Sequence, residues 1–356
     1  MFESVTKLMD GFMELGVPGY DCIVYHKGNC VYRHFAGYSD NINKVPMNGH
    51  ELYNIYSCSK VITCTAALML YERGLLGIDD LLSDYLSEFE HMTVKTEDGI
   101  KEAKRQITIR NLFSMTAGFS YDLNSPQLQK CKEETQGRCQ TREVMKYLAK
   151  EPLLFEPGER FEYSLCHDVL AAVVEVVSGM RFGEFVRENI FKPLGMENST
   201  FLLDDSQLDK VSAQYAFDYE EKKIKMCTKD ICYKLGTEYE SGGAGCISTV
   251  EDYSKFLEGL RCKKLLKEET IELMTTNQLG EGQDENYWPK GYGYGLGVRC
   301  PKENSNVTDF GWGGAAGAYL AIDRAHELTV FFAQHVLGSP AENSKVYTEV
   351  LKEFEA

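Results

Sequence analysis

Val5, Leu8, Met9 and Phe12 recur at helical spacing with acids between them, which predicts an amphipathic helix at the start of the chain. Residues 21–25 and 30–35 read as short β runs joined by His26-Lys27-Gly28-Asn29, a hairpin. A helix opens near Ser57, runs to Arg73 and stops at Gly74. It is apolar nearly all round and is expected to be buried on every side. From there to residue 205 the periodicity is helical, over 110–115, 142–150, 169–177 and 182–190, with helix starts at Ser125-Pro126 and at Thr141. Residues 216–226 look like two strands around a charged turn, and a helix follows from Glu251. The pattern returns to β at 292–298, 318–322 and 328–334 and closes with a helix from Glu342.

β and helix elements from both chain ends thus bracket a helical middle. The simplest architecture is α/β of the α+β type: one mixed, mainly antiparallel sheet built from both ends and flanked by helices, with a mostly helical lobe inserted. At 356 residues the chain exceeds the commonest single-core size. That suits one domain of two packed lobes, 1–75 with 240–356 and 76–239. Composition changes little, since 43% hydrophobic and 26% charged residues describe an ordinary globular protein. The net charge of −16 argues against nucleic acid or an anionic membrane as partner, because both need clustered Lys and Arg. The first twenty residues lack a basic start ahead of an apolar core, and no run of about 18 apolar residues occurs anywhere. No secretory signal or membrane span is therefore expected, and a cytoplasmic location is.

The twelve cysteines form no C-x-x-C pair and have no histidine at finger-like spacing. Several, such as Cys64 and Cys246, lie in apolar runs, where cysteine behaves as a small hydrophobe. Mostly reduced thiols and no metal site are expected. Asn198-Ser-Thr and Asn306-Val-Thr match the glycosylation pattern but carry no weight without secretion. There is no G-x-S-x-G, no H-E-x-x-H and no Walker phosphate loop. Residues 311–316 fit G-x-G-x-x-A, but no helix opens behind them. The alternating glycines of 291–297 suit a strand approached closely by another backbone.

One constellation survives. Ser57 and Lys60 form an S-x-x-K at the mouth of the apolar helix. Ser4 and Lys7 form another, explained by a helix start with a solvated lysine. Lys60 has no such route to water, so it snorkels, pairs, or serves chemistry. Residues 155–165 are a turn-rich loop delivering Tyr163 just ahead of an apolar helix, and the glycine-rich stretch 310–317 leads into a strand. In this order and at these separations, Ser57-x-x-Lys60, Tyr163-Ser-Leu165 and the Gly313-Gly314 strand resemble the serine β-lactamase and penicillin-binding-protein family. The match is closest to the class C β-lactamases and their esterase relatives. Residues 74–80, 107–112 and 242–245 look like that family's connecting segments, so the resemblance covers nearly the whole chain. It implies a β-lactamase/transpeptidase-like fold.

The resemblance also implies roles. Ser57 would be the nucleophile, at a helix N-terminus whose dipole favours the developing negative charge. Lys60 lies one turn on, within reach, and Tyr163 is the other proton handler. Two arrangements stay open: Lys60 desolvated to neutrality, or Lys60 charged and holding Tyr163 as a phenolate. The oxyanion donors fall at the backbone N–H groups of Ser57 and Ala315, with Gly313 and Gly314 letting the backbone approach a carbonyl. No metal or organic cofactor is implied. The penicillin-recognising members carry a Lys-Thr-Gly where this chain has Trp312, and a Tyr-x-Asn where it has Leu165. Both departures replace a polar contact with an apolar one, so a carboxylate-bearing β-lactam should bind poorly.

The esterase branch, with Trp-Gly-Gly and a Tyr-Ser-x-x-x-Asp run matched by Tyr163 to Asp168, fits better. The expected reaction is hydrolysis of small neutral esters through an acyl-enzyme at Ser57. Rivals within the class are acyl transfer and hydrolysis of D-amino-acid peptides or β-lactam-like amides. The rival outside it is a non-catalytic binding protein. His167 and Asp168 read as packing or helix-start residues, and Tyr121 with residues 124–139 as an exposed loop or a lid. The oligomeric state stays open.

Overall fold

In the computed structural model, which describes residues 1–227 and 233–355, eight strands form one antiparallel sheet. They are β1 (Gly19–His26), β2 (Asn29–Asp40), β3 (Val45–Pro46), β4 (Tyr292–Tyr294), β5 (Arg299–Pro301), β6 (Asp309–Gly313), β7 (Tyr319–Asp323) and β8 (Leu328–Gln334). Their spatial order is β4-β5-β6-β7-β8-β1-β2-β3. The two chain ends meet at the β8–β1 pairing, where Val24 stands opposite Val330 and Cys22 opposite Phe332. The sheet is therefore built from both ends of the chain, as its hydrophobic pattern implies.

Five helices bear on the site: α1 (Glu3–Glu14), α2 (Ser59–Glu72), α3 (Cys166–Ser178), α4 (Val250–Arg261) and α5 (Ser344–Glu355). Successive strand side chains point to opposite faces, which sets the layers. On one face Cys22, Val24, Val330 and Phe332 pack with Val5, Met9 and Phe12 of α1 and with Val346 and Val350 of α5. On the other, Ile23, Leu320 and Phe331 join the main core, where Tyr253 of α4 stacks on Phe331 with ring centroids 4.3 Å apart. Helix α2 is buried nearly all round and packs against α3. Ile62, Leu68 and Leu170 are wholly buried there, each adding about 1.5–3 kcal/mol over exposure.

The middle of the chain is mostly helical, with Ile109–Phe113, Pro126–Glu134, Thr141–Leu148, α3 and Phe182–Val186, the last running on as a π turn over Arg187–Phe191. Tyr215–Asp218 and Lys223–Met226 pair antiparallel around the charged turn. The first of these also pairs in parallel with Val336–Leu337, just beyond β8. Thr93–Thr96 and Gly99–Glu102 form a small hairpin with mostly exposed residues, which carries no period-two apolar signal.

The single strand expected over 292–298 is broken. The chain turns after β4 because Gly295 donates to Val298 O at 2.8 Å and Leu296 to Met274 O at 2.9 Å. A Cβ on Gly295 would lie 2.1 Å from that Met274 oxygen, and Gly297 has a φ of 86°. The alternating glycines therefore mark a close-packed turn as well as a strand. Cys64 and Cys246 are buried thiols, and Cys232 lies outside the described residues. Among the described residues no helix is long and apolar enough to cross a membrane.

Candidate active site

Tyr56, with a φ of 46°, turns the chain from the short strand Tyr53–Asn54 into a 3-10 turn over Tyr56–Cys58 and then α2. Its hydroxyl donates to the buried Gln214 Oε1 at 2.6 Å, which anchors this unusual backbone. Ser57 follows in the first helical turn, where an N–H has no intrahelical partner. It is 8% exposed, and the wholly buried Lys60 lies beneath it with Nζ 3.3 Å from Oγ. Lys60 also donates to Gly243 O at 2.7 Å and to the Tyr121 hydroxyl at 3.4 Å, and sits 4.5 Å from the centre of the Tyr163 ring. Burial opposes its ammonium form, but Tyr121, Tyr163 and Asp168 together outweigh this, so its affinity for the proton is raised. Of the two arrangements left open by the residues, this favours a charged Lys60.

Tyr163 is held between aromatic rings, stacked on Tyr121 at 5.7 Å and on Trp312 at 5.8 Å. Trp312 Nε1 donates to the Tyr163 hydroxyl oxygen at 3.1 Å. A donor aimed at that oxygen steadies negative charge on it. The Tyr163 ring meets Trp288 edge-on at 5.3 Å, so both of the chain's tryptophans stand at this site.

The β6–β7 turn carries the Ala315 amide, the one expected to serve as second oxyanion donor. Gly314 donates to Ala318 O at 2.7 Å and Gly317 to Gly314 O at 2.9 Å, whereas the Ala315 N–H makes no hydrogen bond among the described residues. A Cβ on Gly314 would fall 2.4 Å from Ile55 O, while one on Gly313 would meet nothing nearer than 3.5 Å. Gly314 is thus needed for space, so that the strand end abuts the Ser57 turn, and Gly313 is not. Gly314→Ala is expected to displace the Ala315 amide and lower kcat/KM about 10²–10³-fold, the usual cost of losing one oxyanion donor. Gly313→Ala should stay near wild type. Equal losses in the two variants would contradict this reading.

Ser57, Tyr163, Trp312, Gly313, Gly314 and Ala315 come together on the wall of one cleft of about 540 Å³. Arg299 also lines it, but its guanidinium lies between the Tyr292 and Tyr319 rings and donates to the buried Asp309 carboxylate, which neutralises it. Leu165, expected beside the substrate, is buried at the N-cap of α3 and is not part of the wall. His167 packs between Cys64 Sγ and Phe113 O, and burial, helped by Lys60, pushes it down to about 3, so it is neutral packing.

Two residues have more to do than their local sequence suggests. Tyr121, read as loop, contacts Lys60 and stacks on Tyr163; nothing near it in the chain signals this, because the contact is tertiary. Asp168, read as a helix start, is buried and accepts from Ser241 Oγ at 2.6 Å and the Tyr239 hydroxyl at 2.8 Å. Among the described residues no group of three or more His, Cys, Asp or Glu is placed to hold a metal ion.

The chain matches the family model described as Beta-lactamase over residues 5–352. Esterase EstB of Burkholderia gladioli is 27% identical over 89% of this chain and 86% of its own length. Acyltransferase calJ of Penicillium decumbens is 26% identical over 88% and 83%. Among solved structures, EstCE1, described as a hydrolase with promiscuous acyltransferase activity, superposes with a TM-score of 0.80 at 25% identity, covering 98% of both chains. Simvastatin synthase from Aspergillus terreus has the same fold, with a TM-score of 0.80 at 22% identity over 97% of this chain and 96% of that one. With its serine, lysine and tyrosine gathered beneath a Trp-Gly-Gly strand, this chain belongs to the Beta-lactamase family.

Proposed function

We propose that the protein is a carboxylesterase that hydrolyses small neutral esters through an acyl-enzyme at Ser57. The observation that carries this is the cluster of Ser57, buried Lys60 and Tyr163, closed by the Trp312 N–H on the Tyr163 oxygen. Lys60 stays an ammonium ion and holds Tyr163 as a phenolate, which takes the Ser57 proton to become the neutral phenol as Oγ attacks the ester carbonyl. The oxyanion rests on the Ser57 and Ala315 amides, and the alcohol leaves with the proton from Tyr163. Water then repeats the sequence to release the acid. Aromatic walls, a tryptophan in place of the substrate-binding lysine, and an Arg299 already paired with Asp309 all favour an uncharged substrate.

Relatives named esterase and acyltransferase support acyl chemistry, and the second favours an acceptor alcohol in place of water as the alternative reading. The test is p-nitrophenyl butyrate with and without added alcohol. Release of butyrate in water supports the esterase, and product formed only with the alcohol supports the transferase. No turnover, with no labelling by a fluorophosphonate, leaves a binding protein.

Trp312→Lys should not convert the site into a β-lactamase, because it removes the Nε1 donor and the stacked ring that position Tyr163. Loss of that hydrogen bond alone should lower ester turnover roughly tenfold. Efficient nitrocefin turnover by this variant would contradict the assignment.

A further inference from the structure

Lys60 has no exposure to solvent, and a buried ammonium without a counter-charge gives up its proton. Ionisable groups face it from each packed element. The Cys58 and Cys64 thiols lie on its own helix turns, Tyr121 and Tyr163 come from the loops above, and Cys166, His167 and Asp168 from α3. Burial pushes the three thiols up, Cys166 to about 11, and the Tyr121 hydroxyl up as well. Burial and then Lys60 push His167 down to about 3. The three thiols, the Tyr121 phenol and the His167 imidazole are therefore uncharged in the neutral range. Among these neighbours of Lys60, Asp168 carries the one carboxyl group.

The geometry gives that carboxylate a view of the ammonium. Oδ1 of Asp168 is held by Ser241 Oγ and the Tyr239 hydroxyl, whereas the buried Oδ2 makes no hydrogen bond of good distance and angle among the described residues. Oδ2 faces Gly243, where an added Cβ would sit 2.4 Å from it and 3.4 Å from Lys60 Nζ. Gly243 does not have the left-handed backbone that would itself demand glycine, so the requirement is for space. The carbonyl oxygen of the same residue takes a Lys60 N–H at 2.7 Å. Burial raises the Asp168 carboxyl, and Ser241, Lys60, Tyr239 and the Gly243 backbone amide pull it back.

We propose that Asp168 is the positioning counter-charge that keeps Lys60 an ammonium ion, acting across the gap left by the missing side chain of Gly243. The inference deepens the esterase reading, since it assigns the group that sets the charge state of that site. Asp168→Asn keeps an oxygen for Ser241 and Tyr239 and removes only the charge. Gly243→Ala keeps the charge and puts a methyl group between the partners.

The experiment follows the ¹³Cε resonance of Lys60 in lysine-labelled protein against pH, assigned by its loss in Lys60→Met, alongside kcat/KM for an ester from pH 6 to 10. In the wild type Lys60 should remain an ammonium ion beyond the ordinary lysine value of about 10.4. In both variants it should titrate below that value, and the alkaline limit of activity should move down by about one pH unit or more. Lys60 staying charged through that range in Asp168→Asn overturns the proposal, as does an equal loss of activity at every pH. If Lys60 shifts as expected but the wild type hydrolyses no ester, the esterase reading falls and the counter-charge stands.

Discussion

Replacing Ser57 by alanine is expected to lower ester hydrolysis by at least about 10⁴-fold, since removal of an activated nucleophile leaves only what binding and the oxyanion donors contribute. Among the described residues the Ser57 side chain makes a single hydrogen bond, the 3.3 Å contact with Lys60, and it sits on the cleft wall and not in packed core. The variant should therefore fold like the wild type, with an unfolding midpoint close to it. The expected pattern is a folded, inactive protein that a fluorophosphonate no longer labels. Retained turnover in Ser57→Ala would place the nucleophile elsewhere, and neither Ser59, buried off the cleft wall with its Oγ accepting from Cys246 N, nor Ser4 on α1 offers an equivalent.

Lys60→Met is expected to cost both activity and stability. Activity should fall about 10³–10⁴-fold, because Tyr163 loses the ammonium beneath its ring and Ser57 its nearest polar neighbour. Stability should fall by on the order of 3 kcal/mol, because removing one member of a buried charged pair leaves Asp168 uncompensated. The sign of the pH dependence follows. Burial raises the Asp168 carboxyl in the folded state, so its ionisation costs stability as pH rises through the folded value. Without Lys60 that cost grows, and the deficit should be small in acid, where the carboxyl is protonated folded or unfolded, and largest at neutral pH. Adding Asp168→Asn should return most of the stability and none of the activity. Urea denaturation at two pH values reads this directly, and a Lys60→Met variant as stable as the wild type at neutral pH would contradict it.

Much of this molecule is legible along the chain because period and face coincide. Val5, Met9 and Phe12 bury one stripe of α1 against the sheet, and the nearly all-round apolarity of α2 matches its nearly complete burial. The fold could be named because Ser57-x-x-Lys60, Tyr163 and Gly313-Gly314 keep their order over more than 250 residues, although no local pattern relates them. What local pattern misses is decided by distant partners. The run at 292–298 alternates like a strand, yet the Met274 carbonyl and a left-handed Gly297 bend it. Leu165 occupies the position of a substrate-reading residue in relatives that recognise penicillin, but an apolar side chain there turns into the core. Tyr121 and Asp168 gain their significance only when the helical middle closes on α2. Gly243 is more hidden still, since its value lies in an atom it lacks.

The most direct measurement is the mass of the protein caught during turnover. The enzyme is mixed with p-nitrophenyl butyrate, quenched in acid within the burst, and digested with trypsin. One butyryl group is expected, on the peptide 45–60 that lies between Lys44 and Lys60, with fragment ions placing it on Ser57. Steady turnover with no acyl adduct, or an adduct on Ser59, Tyr163 or any other residue, would contradict an acyl-enzyme at Ser57.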